Sequence, residues 1–341
     1  MKHRVILSKV ASVSHLIYAG AYINKMLDAD GVDELEVYCL GFVEFLGSTR
    51  VVWSDFRKFI PQHPKISVYY IDSGSKFPKF ISSYRITYLC VDTLGLKDLL
   101  LIYSKNPTVK LDCIIFDEGL GSYMTTQMRF KRFRKASGSV VWAALKIIKE
   151  NVLNILFRPK FWRMYYQEQD GWKVNKSIEA WIKQGVPLHN GNIVGKNSRV
   201  IYYISQPVIE LGIVAEQKYY DFLLRLQQII KKYNYHLIVK PHPLESKHRY
   251  KGLQIEIDSI SYPAELRSDI KNSVVILGIN STGLINFSAL YGMKVFRFDQ
   301  FMIGNEKKHR NEQKDFLNHY TSLVSNWEDF ETIVKNDFLV M

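Results

Sequence analysis

Cysteine is scarce in this chain: 3 among 341 residues, Cys39, Cys90 and Cys113, with no two in a CxxC pair. That excludes a disulfide framework and a cysteine-rich zinc module, and it points to a reducing, cytoplasmic compartment. Long apolar runs are missing as well. The longest candidate, 140–157, carries Lys146, Lys149 and Glu150, so no segment is expected to span a membrane. The N-terminus MKHRVILSKVASVSHLIYAG begins basic and then apolar, as signal peptides do. Lys9 interrupts it, however, and Ser8, Ser12, Ser14 and His15 are polar, so it reads as a strand over 4–7, a loop and a helix from His15. Neither GxGxxG with a following acid nor GxxxxGK[ST] occurs, which leaves dinucleotide and P-loop readings without support. Acids are in deficit, with Asp+Glu 33 against Lys+Arg 46, a net charge of +13. An excess of that size usually meets something anionic: nucleic acid, a lipid surface or a phosphorylated substrate.

Core-forming material is plentiful. The chain is 47% hydrophobic and 23% charged, which excludes disorder, and its length suits two domains or one large one. Short apolar runs at 4–7, 36–39, 67–71, 86–91 and 113–116 alternate with helical patterns at 21–27 and 94–103, the signature of parallel α/β organisation. Residues 128–182 depart from it, rich in aromatics and bases and read as mostly helical. The stretch 185–195 holds three glycines and a proline and reads as a linker. The α/β pattern then restarts with a strand at 199–204. A helix over 215–233 follows, placing Tyr219, Phe222, Leu223, Leu226, Ile229 and Ile230 at helical spacing. Strands at 236–239 and 254–257, a short helix at 264–270, a strand at 274–279, a helix at 283–291, a strand at 294–298 and a helical tail at 314–334 complete it. The expected division is an N-terminal domain over 1–190, a C-terminal domain over 198–320, and a terminal helix over 321–341 that packs back on the N-terminal domain.

Ligands of open α/β sheets bind at the carboxyl ends of strands, so the strand-to-loop junctions are the places to look for chemistry. Three stand out. At the first, an apolar strand runs into Asp117-Glu118-Gly119-Leu-Gly-Ser122. Adjacent carboxylates repel, which raises one pKa and suits a general base that takes a proton from an alcohol. A solvated turn ending a strand fits the same residues. No nearby histidine or third acid supports a metal there.

The second junction is Lys240-Pro-His242-Pro243, at the end of an apolar strand. Two prolines stiffen it, and Lys240 and His242, two apart on extended backbone, can share a side. A fixed Lys/His pair suits a phosphate, lysine as a point charge and histidine as donor or acid. The third is Asn280-Ser281-Thr282, where a strand ends and a helix begins at once. Hydroxyls and backbone N–H groups at a helix start bind anions, and ordinary capping uses the same donors. Between these two, Glu265 either complements a helix dipole or accepts hydrogen bonds from ribose hydroxyls.

Together, the order Asp117-Glu118-Gly119, Lys240-Pro-His242-Pro243 and Ser281-Thr282 resembles the bacterial sialyltransferases, with their D/E-D/E-G, HP and S-S/T motifs. The resemblance covers the framework from about residue 110 to 290. It implies a GT-B fold, two Rossmann-like domains facing across a cleft. It also implies inverting transfer of sialic acid from CMP-sialic acid, without a metal or other cofactor, to a sugar hydroxyl such as that of galactose on a lipopolysaccharide, O-antigen or capsule. On this resemblance Glu118 is the base with Asp117 the fallback, Gly119 and Ser122 lie on the acceptor side, and His242 meets the CMP phosphate as donor or general acid. Lys240 and Pro243 lie beside that phosphate, Asn280, Ser281 and Thr282 bind it, and Glu265 matches the acid near the ribose. The motif here is Ser-Thr rather than Ser-Ser, which keeps both hydroxyls.

Within enzymes the rivals are a polysialyltransferase, a Kdo transferase or a CDP-glycerol polymer transferase. A basic nucleic-acid-binding protein is the rival of a different class, but no RRM, KH, zinc-finger or helix-turn-helix signature accompanies the charge. The charge is in fact concentrated: between Arg129 and Arg163 stand ten Lys or Arg and one acid, Glu150, interleaved with aromatic and aliphatic residues. That is a membrane-surface pattern, drawn to anionic lipid. It implies a cytoplasmic transferase held at the inner face of the membrane near a lipid-linked acceptor. A surface helix packed on the N-terminal domain with solvated bases fits the same composition.

Overall fold

The computed structural model describes residues 2–29, 31–42, 53–71, 76–79, 85–117, 119–186, 194–195, 199–246, 248–260, 262–299, 302 and 311–337. The chain divides into two compact units, Met1–Pro187 and Leu188–Met341.

In the first unit the elements run β1 (Lys2–Ser8), α1 (Val13–Leu27), β2 (Glu34–Cys39), α2 (Trp53–Phe59), β3 (Ile66–Tyr70), β4 (Arg85–Val91), α3 (Leu96–Lys105) and β5 (Leu111–Phe116). There follow α4 (Thr126–Ser137), α5 (Val140–Phe157), the short strands β6 (Lys160–Trp162), β7 (Tyr165–Glu168) and β8 (Gly171–Val174), and α6 (Lys176–Ala180). Six strands form one sheet in the order β3-β2-β1-β4-β5-β6, every pairing parallel. Central strands of such a sheet are covered on both faces, which is why β1 and β4 are buried at nearly every position.

The second unit repeats the plan. Its elements are β9 (Val200–Ile204), α7 (Glu216–Lys232), β10 (His236–Lys240), β11 (Glu256–Ile257), β12 (Val275–Gly278), α8 (Thr282–Tyr291), β13 (Val295–Arg297), α9 (Asn311–Tyr320), β14 (Ser322–Leu323) and α10 (Trp327–Asp337). The sheet order is β11-β10-β9-β12-β13-β14, again all parallel. Each unit thus has the doubly wound order 3-2-1-4-5-6, whose switch point lies between its first and fourth strands. Two such units in one chain make this an α/β protein of the GT-B class.

Residues 128–182 are mostly helical, as expected, through α4, α5 and α6. Between the last two, Arg158 takes a left-handed φ of 43° and Pro159 cannot continue a helix, so the chain turns into β6. The helix expected over 264–270 is two short 3₁₀ turns, Ala264–Leu266 and Asp269–Asn272. Between them the fully buried Arg267 turns inward to Asp258 and Asp269, which an unbroken helix would prevent. The terminal helix α10 buries Phe330 and Val334 in the second unit's core beside Phe222 and Phe298. The pair is spaced i, i+4, one face of a helix, and that face is satisfied there. Most of the expected linker, 187–193, lies outside the described residues.

Candidate active site

Asp117 follows β5, next to Asp92 at the end of β4. Its side chain is 1% exposed. Oδ2 accepts a hydrogen bond from the Tyr123 hydroxyl at 2.5 Å and one from the Met164 backbone N–H at 2.7 Å. Oδ1 is buried with no hydrogen-bond partner among the described residues. Tyr123 reaches Asp117 because Gly119 takes φ 122°, a conformation open to glycine alone, and starts a 3₁₀ turn over Leu120–Tyr123 that folds back. Met164 arrives from the other side, since β6 pairs with β5 and sets Ile115 opposite Phe161. Burial pushes the Asp117 carboxyl up to about 7, with the two hydrogen bonds and the Arg163 charge pulling the other way.

A cavity of about 190 Å³ opens here, lined by Asp117, Ser122, Asp92, Arg129, Glu150 and Arg163 among others. Arg129 is engaged: both terminal nitrogens donate to Asp92 Oδ1, at 3.0 and 2.8 Å, and its Nε lies 3.5 Å from Glu150. Arg163 differs. Its guanidinium stacks over the rings of Phe161 at 4.7 Å and Tyr123 at 5.6 Å and makes no ion pair among the described residues. Of the residues singled out from sequence, Asp117 and Ser122 meet at this cavity and Gly119 makes the turn beneath it. Glu118 lies outside the described residues. Sequence reasoning misses Tyr123, Arg129 and Arg163; the one available signal for Arg163 is the basic-aromatic run in which it stands.

The second unit gathers its polar residues around its own switch point. Gly278 ends β12 where a Cβ would lie 2.9 Å from the Ile204 carbonyl oxygen and from both Leu284 methyls, so only glycine allows β12 and α8 to close against β9. Ser281 caps α8, its hydroxyl accepting from the Leu284 N–H at 3.3 Å, which leaves its own proton to donate. Asn280 Oδ1 is buried without a partner among the described residues. Glu265 approaches the same helix start: a point one Cβ away from Gly283 is 3.4 Å from Ser281 Oγ and 3.7 Å from Glu265 Oε2. Asn286 donates to Glu265 Oε1 at 3.2 Å, and burial raises this carboxyl. Thr282 is the first residue of α8. Among the described residues, no three His, Cys, Asp or Glu side chains converge as a metal site would require.

Lys240 and His242 end up in different roles. The Lys240 ammonium turns inward, donating to the Ile260 carbonyl and standing 3.8 Å from Asp258 Oδ2; burial lowers its pKa. It reaches the site as charge near Glu265. His242 accepts at Nδ1 from the Leu244 N–H, 3.2 Å, which leaves Nε2 as the protonated nitrogen of the neutral ring. Its backbone N–H donates to Glu245 Oε2 at 2.9 Å, and Pro243 beside it is exposed. Glu245 also accepts from Ser205 at 2.5 Å and Tyr250 at 2.8 Å, so one buried carboxylate fixes the Pro-His-Pro loop to the end of β9. Sequence reasoning misses Glu245, although an acid three residues after His242 is the spacing that lets a side chain reach back to a backbone N–H.

Residues 78–300 match the family model for alpha-2,8-polysialyltransferase (POLYST), well over half of the chain. The chain belongs to that family. It is therefore a glycosyltransferase, and a sialyltransferase. Among solved structures, the UDP-GlcNAc 2-epimerase of Methanocaldococcus jannaschii superposes with TM-score 0.53 at 13% identity, over 100% of this chain and 93% of that one. The GT-B domain of a sialyltransferase from Photobacterium damselae gives 0.46 at 10% identity, over 95% and 100%. A 2,6-sialyltransferase of another Photobacterium, with the donor product CMP and the acceptor lactose bound, gives 0.49 at 10%, over 94% and 78%. At such identities the likeness of the epimerase shows the fold alone. No curated protein sequence matches the chain.

Proposed function

We propose that this sialyltransferase moves sialic acid from CMP-sialic acid to a sugar hydroxyl with inversion at the anomeric carbon, and that it needs no metal or cofactor. The observation that carries the reading is Asp117: a buried carboxylate on a cavity, raised to about 7, with one oxygen held by two donors and the other without a partner. A base poised near neutrality is suited to an alcohol acceptor. Oδ1 takes the acceptor proton while the acceptor oxygen bonds to the anomeric carbon. On the opposite face the bond from that carbon to the CMP phosphate oxygen breaks, and CMP leaves as an anion. Ser281, Asn280, Thr282 and the start of α8 bind that phosphate, the helix N–H groups favouring the charge it gains. His242 Nε2–H donates to it, Lys240 adds field, and Glu265 accepts from the ribose hydroxyls.

The acceptor on this reading is galactose at the end of a lipid-linked surface glycan of the lipopolysaccharide, O-antigen or capsule kind. One observation favours a second reading, extension of an existing sialic acid. Arg163 is a cation beside Asp117 with no carboxylate partner among the described residues, and it could take the carboxylate of an acidic acceptor sugar.

The test is CMP release from CMP-sialic acid, with CMP-Kdo as the alternative donor, in wild type, Asp117→Asn, Glu118→Gln and His242→Ala. Loss of turnover in Asp117→Asn by about 10²-fold or more, with the donor KM unchanged, is the expected result. Full activity in all three variants, or consumption of CMP-Kdo alone, overturns it. Galactose-ended against sialic-acid-ended acceptors separates the two acceptor readings.

A further inference from the structure

The largest anomaly outside the site is the outer face of α5. Val141, Trp142, Leu145, Ile148, Val152 and Ile155 are all exposed, Trp142 at 62% and Ile155 at 73%. Five of them, from Val141 to Ile155, recur at alternating steps of four and three, one continuous stripe along the helix. The opposite stripe is used inside the unit. Ala143 and Leu153 are buried, and Ile147, Glu150 and Asn154 line the Asp117 cavity. The helix therefore has two apolar faces, and only one has a partner among the described residues of its unit. Nothing frayed accounts for this. Thr125 and Ser139 cap α4 and α5, and Gly138 joins them with a φ of 68°, so the pair is a well-formed hairpin.

The charge around the stripe is of one sign. Arg132, Arg134, Lys135, Lys146 and Lys149 are exposed on the hairpin. Its one acid, Glu150, is turned inward to Arg129 and Asn-lined cavity, with its side chain 14% exposed. An apolar stripe bordered only by cations is complementary to a surface that is apolar inside and anionic at its rim. A second copy of the chain would seat like charges against like.

We propose that the α4–α5 hairpin docks on an anionic phospholipid leaflet. The stripe from Val141 to Ile155 enters the acyl boundary, and the bases of α4 and α5 lie among the headgroups. Trp142, near the start of α5, sits at the depth where an indole finds both apolar contact and a polar edge. The docking needs neither donor nor acceptor, so it stands apart from the transferase reading.

The experiment is flotation of the full chain with vesicles of phosphatidylcholine alone, or of phosphatidylcholine and phosphatidylglycerol in equal parts. Binding is expected to the anionic vesicles only, weakening as salt rises because exposed charges are screened. Lys146→Glu with Lys149→Glu should weaken it roughly tenfold or more, at several-fold per base removed from a charged leaflet. Trp142→Ser with Ile148→Ser should abolish it at unchanged circular dichroism, and should also remove the blue shift of tryptophan emission that wild type shows on these vesicles. CMP release with a soluble acceptor should be unchanged in both double variants. Wild type that stays with the unbound fraction on anionic vesicles overturns the proposal. So does a sedimenting dimer that Ile148→Ser dissociates while no vesicle binding is seen.

Discussion

Asparagine in place of Asp117 separates what the carboxylate does for the chemistry from what its burial does to the fold. The side chains are alike in size, and an amide oxygen can accept the same two hydrogen bonds, from Tyr123 and from the Met164 N–H. Only the charge differs. Burial raises the Asp117 carboxyl from 3.8 to about 7. Between those values the unfolded chain is ionised and the folded one protonated. The folded state then binds the extra proton, and stability falls as pH rises. The stabilisation from the neutral carboxyl is complete below the unfolded value and gone once pH has passed the folded one. At about 1.4 kcal/mol per pH unit, the interval is worth about 4 kcal/mol. Asparagine never ionises. The variant should therefore match wild type near about pH 4 and exceed it by about 4 kcal/mol at about pH 8, read from urea unfolding followed by tryptophan fluorescence. Turnover moves the opposite way. Wild-type kcat should rise with pH through a limb near 7, and the variant should lose about 10²–10⁴-fold together with that limb. A stability difference that fails to open between the two pH values would refute the reasoning, as would a limb that survives in the variant.

The other predictions concern the second unit. Ser281→Ala should cost about 1 kcal/mol through the lost cap and raise the donor KM, whereas Ser281→Asn, which still caps, should restore the melting temperature but not the KM. Glu265→Gln keeps the hydrogen bond from Asn286, so it should fold normally yet bind CMP roughly tenfold more weakly by calorimetry, the loss of one charge-assisted bond pair. Glu245→Ala takes the acceptor from the His242 N–H, at about 1–3 kcal/mol for a buried group left unsatisfied, while the Ser205 and Tyr250 hydroxyls keep each other and Tyr219 as partners. It should lower both the denaturation midpoint and kcat, with Glu245→Gln recovering part of each, since Glu245 positions His242.

Much of the fold was legible because a parallel sheet writes itself as continuous apolar runs, and 86–91 or 236–239 admit little else. The candidate site residues were legible wherever a polar residue directly follows such a run, as Asp117, Lys240 and Asn280 do. Strands β6, β7 and β8 were not, since each has three or four residues, too few for periodicity, and β6 and β7 are mostly exposed. With β6 unseen, nothing brought Arg163 and Met164 to Asp117, nearly fifty residues upstream. The inward turn of Arg267 was hidden for a different reason. Its partners Asp258 and Asp269 look like ordinary loop acids, and only the fold shows that the arginine is sealed beneath them.

One helix, α5, is a wall with a different tenant on each side. Ile147, Glu150 and Asn154 face the Asp117 cavity, and Ile148, Val152 and Ile155 face outward. Neighbouring positions along its sequence thus belong to separate tasks, and the wall is no thicker than a helix with its side chains, about 10 Å. A docked leaflet would lie that close to Asp117, the base of the proposed reaction. If the acceptor is a glycan on a lipid anchor, as proposed, only a short stem would bring its end to Asp117, and each added sugar would move the end further from where the anchor holds it. Chain length would then be something a wall of fixed thickness measures.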